Sequence, residues 1–193
     1  DTSHFGCASE RLRNDYEVAF EAVKNDYSAF RYMSDKFRNT YEIALAVRET
    51  QAYGIGVRTN ITNPTSDDFR KPFGFHVDLA NPTRWILFQD KDDDYVYDAD
   101  EAYAVYNNFT NQNGNQITAL CINHPVSVPC VRDPMLGSSF ITLNITFKRP
   151  NPEALFKGDK GLGSGEQPFS GPANIVVNTQ GNKNCRAIIV ETT

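Results

Sequence analysis

The sequence lacks the long apolar runs and the basic excess that several protein classes require. Its 193 residues include only two Met, one Trp and three His, and no stretch approaches the roughly 20 consecutive apolar residues of a transmembrane helix. The net charge of −5 gives no positive surface for nucleic acid or for an anionic membrane. We therefore expect a soluble chain that does not bind nucleic acid.

Recognisable catalytic motifs are also missing. The sequence has no G-x-S-x-G elbow and no H-E-x-x-H pair, and the glycine-rich stretch 158–165 lacks the Lys-Ser/Thr ending of a phosphate-binding loop. His76 alternates with apolar neighbours on a strand, which is typical of a surface histidine. The sequence predicts a protein that is not an enzyme.

Gly and Pro are absent between Ser9 and Ala52, and apolar residues recur there every three or four positions. This pattern predicts one long amphipathic helix over residues 9–52. We expect its second half to pack on a globular domain and its first half to project as an arm. Coiled-coil association is the alternative role for the exposed half. Residues 1–8 are interpreted as a disordered start or a cloning remnant.

After residue 53 the pattern changes to short alternating segments separated by turn residues, which predicts an antiparallel β-sheet domain over residues 53–193. The predicted strands are Tyr53–Thr59, Phe73–Leu79, Arg84–Gln89, Ala102–Tyr106, Ile117–Ile122, Phe140–Lys148, Asn174–Thr179 and Arg186–Glu191. Phe73, Phe75, Ile141, Leu143, Ile145 and Phe147 are expected among the buried residues. The predicted fold class is α+β, with the long helix packed on the sheet.

Four stretches resemble the prepilin-type proteins, the minor pilins of bacterial type IV pili and the pseudopilins of type II secretion. They are FRNTYEIALAVRETQAYGIGVR, FGFHVD, RWILFQDKDDDYVYDADE and LNITFKRPNPEALF, in that order along the chain. The resemblance implies a structural filament subunit that contacts other pilin subunits through its N-terminal helix. It also implies an extracellular, cell-surface or periplasm-facing location in a bacterium.

The resemblance does not extend to the start of the chain. Members of this family begin with a very apolar helix that carries a lone Glu at the fifth mature position, whereas residues 5–29 are highly charged. We expect a form in which the membrane anchor was cut or replaced, so that a membrane would be reached only through an anchor missing from this chain. The alternative function is a stand-alone binding or adhesive module on a coiled-coil stalk.

The acidic loop, residues 90–101, has the spacing of a twelve-residue calcium-binding loop. Calcium prefers six to eight oxygen ligands, and the loop places carboxylates at alternate positions. The predicted ligands are Asp90, Asp92, Asp94, the carbonyl of Val96, Asp98 and Glu101. Position 6 is Tyr95, where such loops have glycine because the backbone φ is positive. A solvated acidic loop is the alternative, and a hydrolase that uses these carboxylates is a third possibility.

The four cysteines lack the spacing of a zinc site. Cys121 and Cys130 enclose a short segment with two prolines, which predicts a disulfide that closes a loop of about ten residues. Cys7 and Cys185 are expected to be unpaired or to pair between molecules.

Overall fold

The computed structural model describes residues 6–13, 15–33, 35–56, 65–106, 115–122, 139–161, 163, 165–179 and 186–191. Within these ranges, helical segments come first and ten strands follow. The helical segments are α1 (Glu10–Arg13), α2 (Tyr16–Asn25), a 3₁₀ helix (Tyr27–Tyr32), α3 (Asp35–Ile55) and a short 3₁₀ helix (Asp68–Arg70).

The predicted α+β fold, with one long pilin-like helix over residues 9–52 packed on a sheet, is wrong. The described helices of this region are separate segments, and the longest of them, α3, has 21 residues. Antiparallel strands make up most of the remaining secondary structure. The fold is therefore β-rich, with a helical N-terminal region in several pieces.

Two aspartates account for the break before α2 and the break before the 3₁₀ helix Tyr27–Tyr32. The Asp15 carboxylate accepts hydrogen bonds from the backbone N–H groups of Glu17 and Val18, at 3.1 and 3.2 Å, and so caps the start of α2. Asp26 has an extended backbone that ends α2, and its carboxylate accepts from the N–H of Ser28 at 2.8 Å. Such local hydrogen bonds replace the continuing helical ladder, and each one therefore starts a new segment.

The strands form two sheets in which every described pairing is antiparallel. The first, with strand order β3-β2-β1-β6-β7-β8, contains β1 (Phe73–Asp78), β2 (Trp85–Gln89), β3 (Ala102–Tyr106), β6 (Thr142–Lys148), β7 (Asn151–Asp159) and β8 (Gln167–Phe169). The second, with order β10-β9-β4-β5, contains β4 (Asn115–Ile122), β5 (Ser139–Phe140), β9 (Ala173–Thr179) and β10 (Arg186–Val190).

Helix α3 contributes to the same hydrophobic core as both sheets. Its residues Ile43, Ala46 and Val47 are buried and belong to one cluster with apolar side chains from the strands. The cluster includes Phe75 of the first sheet and Ile175 of the second, both 0% exposed. Burial of such apolar side chains is the main stabilising contribution to the fold.

Most predicted strands are confirmed, although their arrangement in two sheets was not predicted. The predicted strand Tyr53–Thr59 is wrong, because α3 continues to Ile55; residues 57–64 lie outside the described ranges. Strands β7 and β8 were missed. Five of the six expected core residues are buried, whereas Ile141 is only half-buried.

The outer face of the first sheet, opposite the core, carries a row of polar residues. His76 on β1 pairs with Asn144 on β6, which pairs with Lys157 on β7. Asn144 is 0% exposed, although its side chain points away from the main core. The acidic loop covers this part of the sheet.

Candidate cation-binding loop

The acidic loop connects the adjacent strands β2 and β3 and is closed by backbone hydrogen bonds. The N–H of Gln89 donates to the carbonyl of Glu101 at 3.1 Å, which joins the two ends of the loop. The N–H of Asp90 donates to the carbonyl of Pro72 at 3.0 Å, which ties the loop to the segment before β1. The first residue of the predicted calcium loop is therefore held by the sheet.

The Asp90 side chain organises the turn that follows it. It is 0% exposed, and its two oxygens accept from the N–H groups of Asp93, at 2.7 Å, and Tyr95, at 2.9 Å. Asp93 and Tyr95 both have positive φ, 67° and 63°. Tyr95 thus adopts the backbone conformation that calcium loops require at position 6, although it is not glycine.

Three of the predicted ligands converge. One carboxylate oxygen from each of Asp90, Asp92 and Asp94 lies within 4.8 Å of the others. Asp92 Oδ1 also accepts from the N–H of Asp94 at 3.2 Å, and Asp94 Oδ1 accepts from the N–H of Val96 at 2.7 Å. The spacing of two residues therefore brings these three carboxylates together, and their role as calcium ligands stays a prediction.

Glu101 and Asp98 lie outside this group of three, while Val96 is half-buried beside it. Glu101 is 2% exposed; its Oε1 accepts from the N–H of Lys91 at 2.5 Å and its Oε2 from the N–H of Asp98 at 3.1 Å. Through these hydrogen bonds Glu101 fixes the backbone of the second half of the loop.

The environment disfavours negative charge at two of these carboxylates. Burial raises the pKa of Asp90 to about 6, opposed by hydrogen bonds from the backbone of Tyr95 and Asp93 and reinforced by the charge of Glu101. Burial also raises the pKa of Glu101, against the N–H groups of Lys91 and Asp98. A buried, partly repelled carboxylate is a group that a bound cation would stabilise.

Lysines neutralise the carboxylates next to the group of three. Lys71 and Lys148 both pair with Asp93, each at 2.7 Å, and Lys91 pairs with Asp100 at 2.8 Å. Burial alone would raise the pKa of Asp93, but the hydrogen bonds from Lys148 and Lys71 lower it below its usual value. The loop is thus attached to the sheet by ion pairs, and it is not a freely solvated hairpin.

Tyr97 attaches the loop to the polar row on the sheet. Its ring lies 4.8 Å from the ring of His76 and 5.6 Å from that of Phe88, and its N–H donates to Asn144 Oδ1 at 3.3 Å. His76 Nδ1 is 2.7 Å from the same Asn144 oxygen, and Lys157 Nζ donates to the carbonyl of Asp94. Burial lowers the pKa of His76, which is consistent with a neutral ring beneath the loop.

The sequence did not identify these supporting residues. Lys71 lies before β1, whereas Asn144, Lys148 and Lys157 lie on β6 and β7, whose register brings them to the loop. The one available signal was Asn144 between the apolar residues Leu143 and Ile145 of a predicted strand, since a buried amide needs a polar partner.

The cysteine predictions are tested only in part. Cys7 is exposed and free. Cys121 on β4 is 2% exposed. Cys130 and Cys185 lie outside the described residues, and the Cys121–Cys130 disulfide stays a prediction.

Comparisons with known proteins give one partial match. A family model described as "Domain of unknown function (DUF4116)" matches residues 1–38 and again residues 16–46, which together make up less than a quarter of the chain. No curated protein and no solved structure matches. In the described part of the chain, no helix has both the length and the apolar character needed to span a bilayer.

Proposed function

We propose that this chain is a non-catalytic β-rich module whose acidic loop binds Ca²⁺. The observation that supports the proposal is the convergence of Asp90, Asp92 and Asp94 within 4.8 Å, with Asp90 fully buried at the base of the loop. All the donors are oxygens, which suits a hard cation. Each carboxylate oxygen has two lone pairs, and one that accepts an N–H retains one for the ion.

The remaining predicted ligands follow from the loop spacing. Val96 would provide its carbonyl at position 7, and Asp98 and Glu101 would complete the set from the second half of the loop. The two oxygens of Glu101 already accept hydrogen bonds from the loop backbone, and Glu101 would therefore couple ion binding to the shape of the loop. The bound ion would stabilise the loop against the sheet; no catalytic step is required.

Titration calorimetry with CaCl₂ tests the site directly. We expect binding with a dissociation constant of about 10⁻⁴ to 10⁻³ M, the range of extracellular calcium modules. The Asp92→Asn variant should bind about tenfold more weakly or worse, because the charge count of the ligands sets the affinity. Asp92 is exposed, and the substitution should leave the fold intact.

The matched control is Asp100→Asn. Asp100 belongs to the same loop, but it pairs with Lys91 and lies outside the group of three. Its affinity for calcium should stay within about twofold of wild type, as for a change in an exposed and screened charge. If both variants lost calcium affinity equally, the affinity would depend only on the net charge of the loop, and this result would contradict a defined site.

The filament-subunit hypothesis remains a proposal, as does the adhesive module on a coiled-coil stalk. Both relied on a continuous helix over residues 9–52, which the described segments do not form, and their support is now the sequence resemblance alone. The gene that encodes the chain would discriminate between them. An apolar helix with a Glu at its fifth mature position would support the filament subunit, and an ordinary secretion signal would support the module.

A further inference from the structure

The helical region contains an 18-residue segment that occurs twice, with a period of 25 residues. Unit 1, residues 7–24, reads CASERLRNDYEVAFEAVK, and unit 2, residues 32–49, reads YMSDKFRNTYEIALAVRE. The two units are identical at Ser9/Ser34, Arg13/Arg38, Asn14/Asn39, Tyr16/Tyr41, Glu17/Glu42 and Ala19/Ala44, with similar residues at most positions between. Repeats of this length are structural units that bury their apolar faces against a neighbouring unit.

The structure shows how unit 1 packs on unit 2. Phe37 of unit 2 is 5% exposed and belongs to a cluster with Ala19 of unit 1. Val23 of unit 1 packs against the same cluster, as does Phe30 from the 3₁₀ helix between the units. The α2 surface that contains Ala19 and Val23 therefore receives the apolar side chain of Phe37.

Each side of this contact, the inserted side chain and the surface that receives it, has a counterpart in the other unit of the repeat. Leu12 is the unit 1 counterpart of Phe37, and it is 41% exposed. Ala44 and Arg48 are the unit 2 counterparts of Ala19 and Val23, and they line an open groove of about 610 Å³. An exposed apolar side chain is thus present together with a groove whose wall includes the half-buried Ala44 and the exposed Arg48.

The groove has the apolar character that such a contact needs. Its walls come from α2, α3 and β10, and they include Phe20, Phe37, Ala44, Leu45, Arg48 and Ile188. Phe20 is 44% exposed and Leu45 is 42% exposed, so two large apolar side chains of the groove are accessible to a partner. The aliphatic part of Arg48 extends this surface and leaves its charge in water.

We propose that this groove binds the Leu12 segment of a second copy of the chain. The contact would reproduce between molecules the packing of Phe37 on α2 within one molecule. Because Leu12 and the groove are different surfaces, the contact is head-to-tail, and each added copy uses one of its two surfaces and leaves the other accessible to a further copy. The proposal is independent of calcium binding.

Sedimentation velocity over a wide range of protein concentrations tests self-association, in chelator and in calcium alike. We expect the mean mass of the wild type to rise with concentration past that of a dimer. Leu12→Asp and Leu45→Asp should each raise the apparent dissociation constant at least tenfold, because each places a carboxylate in an apolar contact. Both side chains are exposed in the free chain, which favours normal folding of the variants.

Mixing the two variants distinguishes a head-to-tail contact from a symmetric one. Leu12→Asp keeps an intact groove, and Leu45→Asp keeps an intact Leu12. An equimolar mixture should therefore form a heterodimer that does not grow further. A mixture that stays monomeric would overturn the head-to-tail geometry.

A control variant, a second groove variant and a folding measurement accompany these experiments, so that poor folding of one variant does not decide the result. Leu155→Asp on β7 changes a leucine of similar exposure, 43%, outside the helical region and should leave association unchanged. Phe20→Asp provides a second groove variant, and circular dichroism checks the folding of each. A wild type that is monomeric throughout, or association that survives both the Leu12 and the groove variants, would overturn the proposal.

Discussion

Calcium at about 10 mM should raise the midpoint of thermal unfolding by roughly 3 to 10 °C relative to chelator. Calcium at about 10 mM is roughly ten to one hundred times the expected dissociation constant, so binding to the folded state alone adds about 1.4 to 2.7 kcal/mol to the free energy of unfolding. For a chain of this length, 1 kcal/mol corresponds to about 2 to 4 °C. The effect is large because the ion neutralises carboxylates that the fold places within 4.8 Å of one another.

The Asp94→Asn variant should lose most of this rise. Asp94 is exposed, and its removal takes away one of the three converging carboxylates. Asp67→Asn, which alters an exposed aspartate before β1, should retain the full rise. Identical melting curves for wild type in calcium and in chelator would contradict a calcium site in this loop.

Acidification should stabilise the metal-free loop through Asp90. The pKa of Asp90 is raised from 3.8 to about 6 in the folded state, and its favourable contribution is therefore complete below pH 3.8 and is lost as the pH rises through 6. Between pH 5 and pH 7.5 the loss from this one group is about 1 kcal/mol. Calcium binding should show the opposite trend, since a proton on Asp90 competes with the ion.

Chemical unfolding of wild type and Asp90→Asn, in chelator at several pH values, isolates this contribution. His76, whose pKa is lowered by burial, acts in the opposite direction near neutral pH, but it is present in both proteins and cancels in the difference. The difference in free energy of unfolding should therefore change by about 1 kcal/mol between pH 5 and pH 7.5. A constant difference would show that Asp90 is not perturbed.

The carboxylate group was predictable because it depends on local spacing. Asp90, Asp92 and Asp94 are two residues apart, and a tight loop turns such side chains to one side. The positive φ of Tyr95 was not predictable, because only the hydrogen bond from its N–H to Asp90 reveals that the turn forms without glycine. The lysine partners of Asp93 are separated from it by 22 and 55 residues, and only the folded sheet brings them there.

The strands were predictable where their residues are largely buried and the composition gives no turn signal. β6 has five consecutive buried residues, and its β-branched and aromatic composition identified it. β7 was missed because it contains Pro152 and Gly158, which usually interrupt strands. Its Ala154 and Phe156 nevertheless face the core.

The helix breaks were hidden by the same pattern that suggested a helix. Asp15 and Asp26 occupy polar positions in the apolar periodicity, and a polar position of an amphipathic helix looks the same in sequence as an N-cap. Because the two units repeat with a period of 25 residues, the apolar spacing continues across the breaks, although the units belong to separate helices. A search of the sequence for internal repeats would have divided this region into two units before any helix was assigned.

Replacing Gly54 by alanine should lower the free energy of unfolding by about 1 to 3 kcal/mol, the usual cost of overpacking a core. Gly54 lies in the last turn of α3, which the sequence pattern assigned to a strand. A Cβ there would lie 2.5 Å from the carbonyl oxygen of Phe147 and 2.7 Å from its Cβ. These atoms belong to β6 at the centre of the first sheet, so the helix would have to move away from the core.

Helix propensity alone predicts the opposite sign, because alanine is favoured over glycine inside a helix by about 1 kcal/mol. The control is Ala52→Gly, two residues earlier on an exposed position of α3, which should cost only that propensity difference of about 1 kcal/mol. Urea unfolding of the two variants and wild type measures both effects. A Gly54→Ala protein more stable than wild type would show that α3 does not pack against β6 at this residue, whereas the expected loss would confirm that glycine is required there by close backbone contact.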